Sequence, residues 1–367
     1  QTGAARTPVQ ARPREIFRGE PRTDARIQEQ LCLSLRMTNT SHWRASATVD
    51  ATPVLSFVDG TSRFQQSFNP AWVAPSASTR WTSGLLVRSQ NCSAVAGGRC
   101  VACAGSGPRN ASALSFSALL SDDNHTSSAP VFAKLSDVVF APHDAADERG
   151  TEDPRLAYDD RTGMYYMFYT AWSVSGDIRL SLATTPDPTS ASSWTRHGTV
   201  FEGPHKSAAL LIRAAPPHYL FYGAGEIRVS RSSDLLRWQP GEPFLRGTAW
   251  GNANVEAGPP PLRLADGNYV FFFNSWKAAG SAYQPAWAVL DGDDPTRVLA
   301  SAASPLWSPA SLPWMAGAKP YTCNMPQVAF VEAAHAIGHD RFRLYFGGAD
   351  AVVGSAVVSV EHARTLK

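Results

Sequence analysis

The chain has 367 residues, of which 44% are hydrophobic and 17% charged, and its 33 basic and 31 acidic side chains leave a formal net charge of +2. That near-balance removes the electrostatic case for a nucleic-acid or anionic-membrane partner. No run of 18 apolar residues is present that could insert directly in a membrane.

Residues 1–30 are polar and basic, with Pro8, Pro13 and Pro21 and little apolar periodicity. They are expected to form an N-terminal tail or stem, and 31–367 a single domain. No signal peptide is visible, and a chain that opens on Gln1 reads as processed or truncated. Five Cys follow: Cys32, Cys92, Cys100, Cys103 and Cys323. Cys100 and Cys103 make a C-x-x-C without the second pair that zinc needs, so a disulfide among Cys92, Cys100 and Cys103 is expected instead, with Cys323 left over. Four N-x-S/T sequons, at Asn39, Asn91, Asn110 and Asn124, fall in the same region. Clustered Cys and sequons together suit an oxidising, glycosylating compartment, so a secretory-pathway location (secreted or Golgi lumen) is expected. The small, polar stretch 94–128 reads as a glycosylated loop insertion.

Five short runs then recur: GLLVR at 84–88, MYYMFYTA at 164–171, HYLFYG at 218–223, NYVFFFN at 268–274 and FRLYFGG at 342–348. Each is apolar, rich in β-formers and bounded by turn residues, as strands buried on both faces are. Two of them lead into I-R-x-S segments, at 178–181 and 227–230, that run through an Asp-containing turn to a Trp. The 27 Gly and 27 Pro supply the turns. Five such units predict an all-β, five-bladed β-propeller with loop insertions, a pair of β-sandwiches being the alternative.

The strongest chemical signal is G-T-E-D-P-R at 150–155, directly before a predicted strand. Two adjacent carboxylates, a rigid Pro and an Arg make a good setting for a general acid of tuned pKa, although a plain surface turn would have the same letters. Glu226 and Glu256 each end near Gly-flanked strands, and Asp350 follows the last apolar run in G-G-A-D. If the units are blades, Asn69, Arg88, Asp153, Glu226, Glu256 and Asp350 can converge at one mouth of the channel, the carboxylate-rich setting that an oxocarbenium-like transition state requires. Glu242, Glu332 and Glu361 read as solvated. His335 and His339 are spaced i, i+4 but lack the Glu of a zincin, so no metal is expected.

These residues resemble a family. G-T-E-D-P-R followed by G-M-Y-Y-M-F-Y-T-A, S-F-N-P at 67–70, L-L-V-R at 85–88, H-K-S-A-A-L at 205–210, V-L-D-G-D-D-P-T-R-V-L at 289–299 and L-Y-F-G-G-A-D at 344–350 are similar, in order, to glycoside hydrolase family 130, the β-mannoside phosphorylases and β-mannosidases. The resemblance implies a five-bladed propeller without cofactor and a β-mannoside oligosaccharide as partner. It implies Asp153 as general acid, acting through a hydroxyl of the bound mannose. Asn69, Arg88, Glu152, Arg155, Lys206 and Asp350 would bind the sugar. Glu226 and Glu256 resemble the paired Glu of the hydrolase branch, which implies inverting hydrolysis of a β-1,2 linkage by activated water. The alternatives are a phosphorylase or mannosyltransferase using phosphate or mannose 1-phosphate, and a non-catalytic mannan-binding propeller.

Overall fold

The computed structural model describes residues 43–362, apart from 58–59, 65, 92–93, 97–98, 103–110, 123–128, 313 and 316–326. Five antiparallel sheets form a five-bladed β-propeller. Blade 1 runs from Gln66–Val73 through Gly84–Gln90 to Ala113–Ser121, which both Val131–Phe132 and Val138–Phe140 pair. Blade 2 is Gly150–Asp159, Met164–Trp172, Ile178–Thr185 and Thr195–Thr199, and blade 3 is Ala208–Leu211, His218–Tyr222, Ile227–Ser232 and Glu242–Leu245. Blade 4 is built on Asn254–Ala257, Tyr269–Trp276, Gln284–Leu290 and Val298–Ser301. Blade 5 uses Ala329–Gly338, Arg341–Gly348 and Val352–His362, and Trp43–Val49 completes it by pairing Trp43 with His362 through Val49 with Ala356. The ring is therefore closed by hydrogen bonds between the two ends of the described chain, which cover the outer edge of Val352–His362.

All five apolar runs picked out in the sequence become the second strand of a blade. That position has a strand on each side and a neighbouring blade on each face, which explains the lack of polar alternation. The two I-R-x-S segments become the third strands of blades 2 and 3, and their turns are tied by Asp187 and Asp234, which accept backbone N–H bonds. Trp238, at the end of the second, is buried between blades 2 and 3 beside Phe168. The buried apolar side chains fall into clusters that each bridge two neighbouring blades, such as Phe221 with Phe271 and Phe272 with Phe342. Blade-to-blade packing, rather than one central core, holds the ring.

Residues 94–128 correct the sequence reading. They contain a short hairpin, Ala94–Ala96 with Arg99–Ala102, but also Ala113–Ser121, a full blade strand whose Leu114 and Phe116 are buried. Its A-L-S-F-S-A-L-L letters alternate with Ser, so the strand was hidden behind the polar composition of its neighbours. Residues 1–42, with Cys32 and Asn39, lie outside the described residues, as do Asn110, Asn124, Cys92, Cys103 and Cys323. Asn91 is exposed just past Gly84–Gln90. Among the described residues, no helix is long and apolar enough to cross a membrane.

Three of the innermost strands carry a bulge, and each bulge selects a polar side chain. The blade 1 register jumps from Phe68 opposite Arg88 to Pro70 opposite Val87, which leaves Asn69 unpaired. In blade 2 the irregularity lies between Glu152 and Arg155 and frees Asp153, and in blade 5 it falls at Glu332, between Val331 and Ala333. A bulge re-aims its extra residue and breaks the strict alternation of faces. Asn69 and Asp153 adopt φ of 48° and 49°, a left-handed conformation that Asn and Asp tolerate better than most residues.

Candidate active site

The bulges aim their side chains at one another across the inner strands. Asn69 Nδ2 donates to Asp153 Oδ1 at 2.7 Å. Arg88, from the second strand of blade 1, donates through Nη1 to the same oxygen at 2.8 Å and through Nη2 to Glu152 Oε1 at 2.6 Å. Ser112 donates to Glu152 Oε1 at 2.9 Å, so the adjacent carboxylates are fixed separately. Arg155 is 1% exposed and reaches the other way: Nη1 donates to the Asp153 carbonyl at 2.8 Å, and Nη2 to the Ala257 carbonyl at 3.0 Å while lying 2.9 Å from Glu332 Oε1. On the facing blades, Lys206 Nζ is 2.9 Å from Glu256 Oε1, which also accepts from the Ser207 hydroxyl.

Burial pushes up the pKa of Glu152, Asp153, Glu332 and Asp350, and the neighbouring cations decide where that push is overcome. For Asp153, burial is outweighed by Arg88, Lys206 and Arg155 together, which hold it at about 2. Glu152 is raised, because burial there exceeds the help from Arg88 and the Asp153 charge opposes ionisation. Burial takes Asp350 to about 6 and Glu332 well above the usual carboxylate range. Lys206 is raised because Glu256 and Asp153 more than offset its burial. Asp350 feels the charges of Arg88, Asp153, Lys206 and Glu256 and so belongs to the same site. Its placement also uses a left-handed turn, with φ of 53° at both Ala349 and Asp350.

The raised value at Asp350 has a stability consequence. Its folded pKa of about 6 exceeds the ordinary value of 3.8, so the folded state holds the proton more tightly than an unperturbed carboxyl would. The resulting cost is absent below pH 3.8, grows between 3.8 and 6 and is full above 6. Asp350→Asn, which suits the left-handed backbone, is therefore expected to raise the melting temperature by a few degrees at pH 7.5 and by nothing at pH 3.5. Thermal melts of both proteins across that range check it, and an equal gain at both ends would refute the assignment.

The structure brings together Asn69, Arg88, Glu152, Asp153, Arg155, Lys206, Glu256 and Asp350. Glu226 stands apart from this network. It is 30% exposed, and its two oxygens are taken by Arg228 Nη1 at 2.7 Å and by Arg246 Nε. Glu226 sits at the bend between Ala224–Gly225 and Ile227–Ser232, and Arg228, near the start of the latter strand, is close enough to hold it. Glu332 is the opposite correction. The sequence reading put it in solvent, yet it is 0% exposed and paired with Arg155. Its signal was present in A-F-V-E-A-A, a lone Glu inside an apolar strand, which is the informative kind of polar residue. Tyr283 was also missed. Its hydroxyl is raised by burial and by the charges of Glu256, Asp350 and Asp153, which places it at the site, and it stacks on Trp276 with centroids 4.4 Å apart. His335 stacks on Trp72 with centroids 3.8 Å apart.

Gly347 is the tightest constraint on this geometry. A Cβ there would meet Asn69 Oδ1 at 1.8 Å and the Asn69 backbone nitrogen at 3.0 Å. Gly347→Ala must displace Asn69, so its bond to Asp153 is lost. Overpacking of this kind costs about 1–3 kcal/mol, and a misplaced catalytic group costs up to about 100-fold in rate. Turnover and the thermal midpoint of the variant measure both; wild-type turnover would show that Asn69 does not position Asp153.

Comparison with known proteins matches residues 123–365 to the glycoside hydrolase family 130 profile, described as β-1,4-mannooligosaccharide phosphorylase. A 1,2-β-oligomannan phosphorylase of Thermoanaerobacter sp. (strain X514) is 29% identical over 63% of this chain and 75% of its own length. A solved structure from work on family 130 glycoside hydrolases that target β-1,2-mannosidic linkages in Candida mannan aligns with a TM-score of 0.65 and 23% identity, over 88% of this chain and 95% of that one. The β-1,2-mannobiose phosphorylase of Listeria innocua, in complex with β-1,2-mannobiose, aligns at 0.64 with 17% identity, over 86% and 96% of the two chains. Those two structural likenesses speak to the fold, and the family match covers well over half of the chain. The chain belongs to glycoside hydrolase family 130, a family of enzymes acting on mannosides.

Proposed function

We propose that this protein hydrolyses β-1,2-mannosidic linkages with inversion, Asp153 supplying the proton and Glu256 activating water. One observation carries the choice of water over phosphate. Arg88, Arg155 and Lys206 are each already paired with carboxylates, whereas Glu256 Oε2 is buried and has no hydrogen-bond partner. A site whose cations are spent on its own acids offers little to a phosphate dianion. A free carboxylate oxygen can accept a proton from water. In the single displacement, the water oxygen bonds to C1 as the C1–O glycosidic bond breaks. Glu256 takes the water proton, and the leaving oxygen receives the one from Asp153, through a sugar hydroxyl.

Asp153 is ionised at neutral pH, because the surrounding cations outweigh its burial and hold it low. It must therefore be loaded with a proton when the sugar enters, and Asp350 and Glu152 are the neighbouring acids with raised pKa that can hold one. A neutral sugar that displaces water and engages Lys206 and Arg88 weakens the hold on the Asp153 anion. The released product on this reading is free mannose. In this reading Glu226 orders the basic rim of Arg228 and Arg246 rather than taking the water proton.

Phosphorolysis is the second reading, favoured by the likeness to the Thermoanaerobacter 1,2-β-oligomannan phosphorylase. β-1,2-Mannobiose incubated with and without phosphate separates the two. Hydrolysis gives mannose in either buffer, released first as the α-anomer, which NMR resolves during turnover. Mannose 1-phosphate formed only when phosphate is present would overturn the hydrolase reading.

A further inference from the structure

A second group of buried polar side chains lies between blades 5 and 1, away from the candidate active site. Trp72 and His335 each follow a site residue, Asn69 and Glu332, by three positions on the two inner strands, which is roughly 10 Å of strand rise. A cavity of about 440 Å³ opens there, its lining including Trp72, Pro75, Leu119, Ser121, Asp122 and His335. Behind it, Arg343 is 0% exposed and holds Asp122 Oδ1 at 2.6 Å and Asp50 Oδ2 at 3.4 Å. The Asp122 side chain is only 5% exposed, and its second oxygen, Oδ2, is buried without a hydrogen-bond partner. His335 Nε2 is 3.8 Å from that oxygen, too far to bond it, and His335 Nδ1 also lacks a partner. Burial, with Arg343 adding to it, pushes His335 down to about 3, so the ring is neutral.

We propose that this cavity is a second binding site, for a neutral pyranose. Two buried polar atoms without partners in a lined cavity are costly unless a ligand or water meets them. Asp122 Oδ2 can only accept, so the ligand must bring O–H or N–H donors. An anion is repelled by that oxygen, and a cation by the Arg343 guanidinium on the other oxygen of the same carboxylate. A pyranose carries hydroxyl donors on its edge and apolar C–H groups on its face, which match the polar atoms of Asp122 and His335 and the apolar surfaces of Trp72, Pro75 and Leu119. The volume falls within the range of small-molecule sites. A chain that holds a sugar here and another between Asp153 and Glu256 would engage an oligosaccharide at two points, with the gain in retention that linked binding gives. The chemistry of this cavity stands whether or not the proposed hydrolysis does.

The test uses the full chain labelled with 5-fluorotryptophan and titrated with methyl β-D-mannopyranoside, the Trp72 and Trp276 resonances being assigned by substitution to Phe. Trp72 lines the cavity, and Trp276 stacks on Tyr283 at the candidate active site. The expected result is a saturable shift of the Trp72 resonance. Ser121→Trp, at an exposed position on the cavity wall, should abolish that shift while leaving the Trp276 response and the turnover of a disaccharide unchanged. A Trp72 resonance that stays fixed through the titration, or that shifts equally in Ser121→Trp, overturns the second site. A Trp276 resonance that stays fixed counts against the mannoside reading of the active site instead, and Trp72 still reports on the cavity.

Discussion

Asp153→Asn is expected to lower kcat on β-1,2-mannobiose by roughly 100- to 10,000-fold, the range that loss of a general acid produces. The substitution keeps the shape of the side chain. Asn tolerates the left-handed backbone at φ 49°, and its carbonyl oxygen can still accept from Asn69 Nδ2 and Arg88 Nη1. The loss should therefore fall on kcat more than on KM, because the interaction removed is made in the transition state. A stability signature accompanies it. The folded pKa of Asp153, about 2, lies below the ordinary value of 3.8, so its charge stabilises the fold above pH 3.8, and that contribution is lost as pH falls towards 2. Asp153→Asn should melt lower than the wild type at pH 7, with the gap closing in acid. A variant with wild-type kcat would remove Asp153 from the chemistry, and a gap independent of pH would mean that the charge at this position is not what stabilises the fold.

Much of this site was legible in the sequence because catalysis and strand geometry leave local marks. The second strands of the blades are continuous apolar runs, and no common soluble alternative to a strand buried on both faces explains five of them. G-T-E-D-P-R declared itself by packing two acids, a Pro and an Arg into a strand entry. What stayed hidden depends on register. V-A-F-V-E-A-A marks Glu332 as a lone acid in an apolar strand, but it does not say that a bulge turns it to Arg155, because one residue of slip exchanges the two faces of a strand. The pairing of Glu226 was hidden for the converse reason: G-A-G-E reads as a strand end facing a cleft, and one of its two partners, Arg246, comes from twenty residues away. Ala113–Ser121 was lost to composition, since Ser at alternate positions satisfies a strand's second face as well as it fills a loop.

Arg155→Met should be the most destabilising single change at the site, lowering stability by about 3–5 kcal/mol. Arg155 and Glu332 are 1% and 0% exposed, so removing the guanidinium leaves a carboxyl in a dry interior with no counter-charge. The Asp153 and Ala257 carbonyls lose their guanidinium donor in the same step, and an unmet buried acceptor adds to the cost. The pair itself is another matter, because desolvating two ions consumes most of what their attraction returns. The double variant Arg155→Met with Glu332→Leu should therefore regain most of the lost stability, and urea midpoints for the two single variants and the double measure that coupling directly. Activity should not return with it. Arg155 fixes the backbone carbonyl of Asp153 and helps to keep that carboxyl ionised, and neither function survives in an apolar replacement. Recovered stability without recovered turnover would assign the Arg155–Glu332 pair to the electrostatics of the acid, whereas recovery of both would reduce it to packing between blades 2 and 5.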